Sequence, residues 1–106
     1  MNKNNTTTIG EKCIEIYPDR IPIIIHYEKN NSSTSNFLVP ADATVGHLLI
    51  NIRRNAKISY SDNLWVYVNN KMVVTTDLLS QLYTNNKDKT DNCLHVTIKK
   101  NNTFVN

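Results

Sequence analysis

Hydrophobic positions along the chain switch between the spacing of a strand and the spacing of a helix. Phe37-Leu38-Val39 is a short apolar run of strand character, and Pro40 stops it. Proline lacks the N–H that a central ladder requires, so the strand ends there or lies at a sheet edge. Thr44 stands where a helix needs a cap, and Val45, Leu48, Leu49, Ile52 and Ala56 recur on one helical face, which predicts burial of that face. Arg53, Arg54 and Lys57 fall near the end of this helix, where cations interact favourably with exposed carbonyls.

The flanking segments extend the pattern. Residues 1–8 form a polar leader with the character of a mobile segment. Ile9, Cys13, Ile16 and Tyr17 then share one side of a short helix, which Pro18 discourages from continuing and which must dock to be stable. Residues 21–28 are β-branched on both faces, with Pro22 near the start, and residues 29–36 are a polar hairpin connection. Leu64-Trp65-Val66-Tyr67-Val68 alternates as a strand, and Asn69-Asn70 suits a tight turn into Lys71-Met72-Val73. Thr75 or Thr76 is placed to cap a helix carrying Leu78, Leu79, Leu82 and Tyr83, and residues 93–98 are the last strand. The order strand-strand-helix-strand-helix-strand predicts an α+β fold: a ubiquitin-like β-grasp with a mixed four-stranded sheet, a central helix and one short N-terminal helix. The domain is expected over residues 9–104, with a tail at 105–106.

A chain of 106 residues supports one modest core. Its 12 Lys and Arg against 9 Asp and Glu give +3, a mild excess that favours acidic partners without demanding nucleic acid. Neither a membrane-length apolar run nor a signal-peptide core is present, which predicts a cytoplasmic protein. In that compartment Cys13 and Cys93 are expected as free thiols. The abundant asparagines read as substitutions at tolerant surface positions.

Several separated motifs carry a family pattern: Arg20-Ile21-Pro22, Leu38-Val39-Pro40-Ala41-Asp42 with Thr44-Val45-Gly46, Tyr67-Val68-Asn69, and Asn102-Thr103-Phe104. In order and spacing they resemble the autophagy ubiquitin-like modifiers of the GABARAP and light-chain-three type. The resemblance implies a monomer that acts in autophagosome formation and recruits cargo by capturing short linear peptides of receptors and adaptors as an added strand. It implies a pocket for the peptide's aromatic anchor at Pro22, Ile24, Leu38 and Cys93. A second pocket, for an aliphatic anchor, is implied at Phe37, Val39, Pro40, Ala43, Leu48 and Asn51, with Arg20 meeting acidic flanks. The edge strand supports such pairing independently, because its unpaired backbone groups are a template for another strand. From periodicity alone, the same apolar residues read as ordinary core.

The chain departs from the family pattern at defined positions. Asn36 replaces a usual Lys, Cys93 a usual aromatic, and Ala43 and Asn51 larger aliphatics. Loss of the cation weakens attraction for acidic peptides, and smaller walls bury less surface at about 25 cal/mol per Å². Altered or weaker peptide selectivity follows. The family tail ends in glycine after Asn-Thr-Phe, and conjugation enzymes join it to phosphatidylethanolamine, which would bring the protein to autophagosome membranes or cytoplasmic vesicles. Here Val105 follows Phe104, and its β-branched side chain is stiff and bulky where a tail must thread a narrow channel. The family's first N-terminal helix also has no counterpart, so roles assigned to it are not carried over.

Other functions have less to stand on. No catalytic set is legible: His26, His47 and His95 are scattered, and Cys93-x-His95 lacks a recognisable orienting third group. No metal or other cofactor is expected, because no Cys or His pair has zinc-knuckle spacing. Nucleic acid is not an expected partner, since Lys and Arg are dispersed and Trp65 lies in an alternating strand. The principal alternative is an unconjugated, soluble peptide-binding paralogue or decoy; a basic surface for membrane or RNA is more distant.

Overall fold

The computed structural model describes residues 7–28 and 33–101. Helix α1 (Ile9–Ile16) leads into strands β1 (Arg20–Tyr27) and β2 (Thr34–Pro40), then helix α2 (Val45–Ala56). Strands β3 (Asn63–Val68) and β4 (Lys71–Val73), helix α3 (Leu79–Asn86) and strand β5 (Leu94–Asn101) complete the order. The mixed sheet runs β2-β1-β5-β3-β4, with β1 and β5 parallel and the other neighbours antiparallel. It has five strands rather than four because Lys71–Val73 pairs with β3 and joins the sheet as its second edge.

Alternation along the strands sorts the side chains onto two faces. Ile21, Ile23 and Ile25 of β1, Val39 of β2, Val66 and Val68 of β3, and Leu94, Val96 and Ile98 of β5 are buried in one cluster. Ala43 ahead of α2, Val45, Leu48 and Ile52 of α2, and Leu79 and Tyr83 of α3 complete it. The predicted apolar face of the central helix is therefore the core face, although Leu49 is only partly buried and Ala56 is exposed. On the opposite face Pro22 is buried and Ile24 half-buried beside α1. Pro22 precedes the first β1–β5 pair, Ile23 with Leu94, so its missing donor breaks no rung of that parallel ladder.

The capping predicted for α2 is present in full. Thr44 Oγ1 accepts the His47 N–H at 3.3 Å, and His47 Nδ1 accepts the Thr44 N–H at 3.2 Å. The Val45 and Gly46 N–H groups donate to the Asp77 and Thr75 carbonyls, which pins the helix start to the segment before α3. Lys57 closes the helix in the left-handed conformation with φ 58°. Asn69 and Asn70 both take positive φ, 52° and 66°, as the tight turn requires.

Two local expectations are corrected. Neither Thr75 nor Thr76 caps α3: Leu78 occupies the cap position without a side-chain bond, and the Asp77 carboxylate instead accepts the Val74 N–H at 3.0 Å. The apolar side predicted for α1 does not dock as a whole, since Ile9, Ile16 and Tyr17 are exposed. The helix is seated through Gly10, whose N–H donates to the Asp91 carbonyl at 2.8 Å, and through Ile14 against the core. Thr8 caps it, exchanging hydrogen bonds with Glu11. The last strand begins at Leu94 and continues to Asn101, because Asn63, Leu64 and Trp65 of β3 supply partners for its end.

Candidate functional site

Strand β2 is an edge: β1 covers one side, and no strand among the described residues pairs with the other. Its side chains alternate across that edge, so a peptide running along it would meet a different hollow on each face of the sheet.

The first hollow, about 380 Å³, lies on the α1 face. Pro22, Ile24, Leu38 and Cys93 all line it, together with Ile9, Cys13, Asn36 and Phe37. Register explains the grouping: Pro22 pairs with Leu38 and Ile24 with Asn36, while Cys93 directly precedes β5 beside β1. Cys13 and Cys93, far apart in the chain, meet at this one hollow as free thiols. Cys93 occupies the floor at 2% exposure. Its N–H donates to Asp91 Oδ1 at 2.9 Å, and burial first, then the Asp91 charge, pushes its thiol up to about 11. This is the opposite of an activated nucleophile, which needs a depressed pKa.

The second hollow, about 400 Å³, lies between β2 and α2. Val39, Pro40, Ala43, Leu48 and Asn51 line it with Asp42, His47 and Ile50. Val39, Ala43 and Leu48 are buried and also serve the core, whereas Pro40 and Asn51 form an exposed rim. Phe37 is not in this lining; it reaches an adjoining hollow with Asn51, Arg54 and Asn55. Asn51 is the residue shared by the two. Arg20 is exposed opposite Pro40, lines neither hollow, and has no ion-pair partner among the described residues. Phe104 and Val105 lie outside the described residues.

Two features escaped the sequence. Asp91 is the orienting group that Cys93-x-His95 lacks on paper: its Oδ2 is 2.7 Å from His95 Nε2, and His95 Nδ1 is 2.8 Å from His26 Nε2. Burial first, then His95, lowers the His26 pKa, against an opposing pull from Asp91. On the same sheet face as His95, Lys99 meets Trp65, Tyr67 and Met72 around a shallow hollow that Lys100 borders from the next position, a grouping hidden by their dispersion in sequence. Glu28 sits within it, 3.6 Å from Lys99, and reduces its positive charge. Cross-strand register was the signal that could have found the His26–His95 pair and the lysine–aromatic grouping, whereas Asp91 sits in the turn before β5, four residues from His95.

No helix among the described residues is long and apolar enough to cross a membrane. Residues 5–105 match the family described as "Autophagy protein Atg8 ubiquitin like". The chain is 37% identical to autophagy-related protein 8c of Arabidopsis thaliana, over 85% of this chain and 78% of the relative. It is 35% identical to autophagy-related protein 8 of Dictyostelium discoideum, over 91% of this chain and 82% of that one. The crystal structure of Trypanosoma brucei ATG8 superposes with a TM-score of 0.79 at 29% identity, covering 91% of this chain and 85% of that structure. A β-grasp sheet with an open edge at β2, matched in sequence and structure along nearly its whole length, places this chain in the Atg8 family of autophagy-related ubiquitin-like proteins.

Proposed function

We propose that the protein captures short linear peptides of autophagy receptors and adaptors as an additional strand on β2, and so recruits cargo during autophagosome formation. The observation that carries this reading is the unpaired margin of β2 with an apolar hollow on either side. Backbone pairing would supply affinity, and the hollows would select alternate side chains. Pro22, Ile24, Leu38 and Cys93 would receive an aromatic anchor. Val39, Pro40, Ala43, Leu48 and Asn51 would receive an aliphatic one, with Phe37 extending that wall and Arg20 meeting acidic flanks. The test is titration of the labelled protein with an acidic peptide bearing one aromatic and one aliphatic anchor, followed by NMR. Amide shifts concentrated at residues 36–39, with slowed exchange there, support the reading. Shifts confined to the β4 edge, or none at saturating peptide, refute it.

A second reading concerns the tail. Val105 supports a module that works in the cytoplasm without conjugation to phosphatidylethanolamine, because a β-branched residue stands where the family pattern has glycine. Reconstituted lipidation of the wild-type chain and of Val105→Gly, read by mass spectrometry, tests this. An adduct on the glycine variant alone supports it, and a phospholipid adduct on Val105 overturns it.

A further inference from the structure

The loop from α3 into β5 folds back so that two carboxylates face one imidazole. Asp88 Oδ1 accepts the Thr90 N–H at 2.7 Å, and Asp91 Oδ1 accepts the Cys93 N–H at 2.9 Å, which fixes both side chains to the loop backbone. One ligand atom each from Asp88, Asp91 and His95 lie within 4.8 Å of one another. His95 is the second residue of β5, a strand held between β1 and β3. Its ring is gripped from behind, because its Nδ1 lies 2.8 Å from His26 Nε2 on β1.

We propose that Asp88, Asp91 and His95 form a binding site for a zinc-class divalent metal ion, with His26 as the positioning residue behind the histidine ligand. The imidazole separates this arrangement from an ordinary acidic turn. Metal-ligating histidines characteristically engage their second ring nitrogen with another group, which fixes tautomer and orientation. His26 occupies that position.

The donor set selects the ion. Carboxylate oxygens alone suit calcium or magnesium, whereas one imidazole with two carboxylates suits zinc and its first-row neighbours. Ligands at about 2.0–2.2 Å from a tetrahedral zinc stand roughly 3.3–3.6 Å apart. The three side chains would therefore close slightly around the ion, and the 2.7 Å contact between His95 Nε2 and Asp91 Oδ2 would open. That contact holds a proton on Nε2, since a carboxylate only accepts. Zinc takes its place: the Nε2 lone pair forms the metal bond, and the proton it carried is exchanged through solvent onto Nδ1. His26, which donates from Nε2 to the bare His95 Nδ1 in the metal-free chain, shifts its own proton to its Nδ1 through solvent, so that its Nε2 now accepts the His95 Nδ1–H. Water completes the fourth position.

The experiment uses the full chain stripped with chelator, titrated calorimetrically with zinc chloride and separately with magnesium chloride. Imidazole nitrogens are followed by long-range ¹H–¹⁵N NMR. Expected are one zinc per chain, a metal-type shift at His95 Nε2 with Nδ1 protonated, and no such shift with magnesium. Asp88→Asn retains an oxygen for the Thr90 N–H, so it keeps the loop, and it should weaken zinc about tenfold or more. His26→Phe should weaken zinc by roughly 10-fold while leaving stoichiometry at one. Amide spectra away from the loop serve as the control for folding. Absence of saturable zinc uptake overturns the proposal. Uptake that Asp88→Asn leaves unchanged, or that shifts His47 in place of His95, overturns it equally.

Discussion

Gly10 and Asn92 meet backbone to backbone: a Cβ added to Gly10 would stand 2.1 Å from the Asn92 carbonyl oxygen. This junction, with the Gly10 N–H on the Asp91 carbonyl at 2.8 Å, seats α1 against the segment that introduces β5. Ile9 and Cys13 of the same helix wall the first hollow, so the glycine sets its depth. Gly10→Ala gains up to about 1 kcal/mol of helix propensity yet forces the two backbones apart, at about 1–3 kcal/mol. The net expectation is a lower unfolding midpoint, faster hydrogen exchange in α1, and weaker binding of the aromatic anchor. Unchanged exchange in α1 would show that the helix is seated by other contacts.

The difference between what was legible in the sequence and what was not follows the range of each interaction. Thr44, Pro40 and the Asn69-Asn70 turn act within a few residues, and their caps, stops and positive φ angles follow from residue type. The pocket residues were legible only through family motifs, because Leu48 and Val39 are as buried as any core residue and periodicity cannot separate the roles. The seating of α1 is not legible in its sequence, because the apolar side suggests a docked face whereas close backbone approach at Gly10 holds the helix. His26 and His95 are 69 residues apart in the chain, and only the parallel β1–β5 register, Ile24 opposite His95, brings them together.

Asn36 lies exposed on β2 beside the first hollow, opposite Ile24. Asn36→Lys places a cation next to the path of an incoming strand without burying it. An exposed charge pair contributes about 0.2–1 kcal/mol, so an acidic peptide should bind up to about fivefold more tightly at low salt. Fluorescence anisotropy at two ionic strengths checks this. A gain that persists undiminished at high salt would argue against a charge effect.

Leu48 and Asn51 lie one helical turn apart and line the same hollow, yet they differ in burial. Leu48, at 1% exposure, belongs to the core, and Leu48→Ala should cost about 2–5 kcal/mol in chemical denaturation. Asn51→Leu alters only the rim. It should change stability by less than about 0.5 kcal/mol while tightening peptides with a large aliphatic anchor. If Asn51→Leu leaves the affinity of such peptides unchanged, the hollow between β2 and α2 is not the aliphatic site.

Cys93 gives the fold a dependence on alkaline pH. Burial, followed by Asp91, raises its thiol from 9.0 to about 11 in the folded chain. Between these values an unfolded chain would lose the proton while the folded one keeps it, so the unfolded state binds fewer protons and stability falls as pH rises. The contribution is fully present below about pH 9 and is lost as pH rises through about 11. Cys93→Ala removes this part of the alkaline decline, seen as a flatter unfolding midpoint against pH between those limits. Alkylation supplies the kinetic counterpart: at pH 8 a thiol reagent should label the half-buried Cys13 well before the buried Cys93, and label Cys93 only at the rate of local opening. Equal labelling rates at the two cysteines in the native protein would mean that the floor of the first hollow is open to solvent.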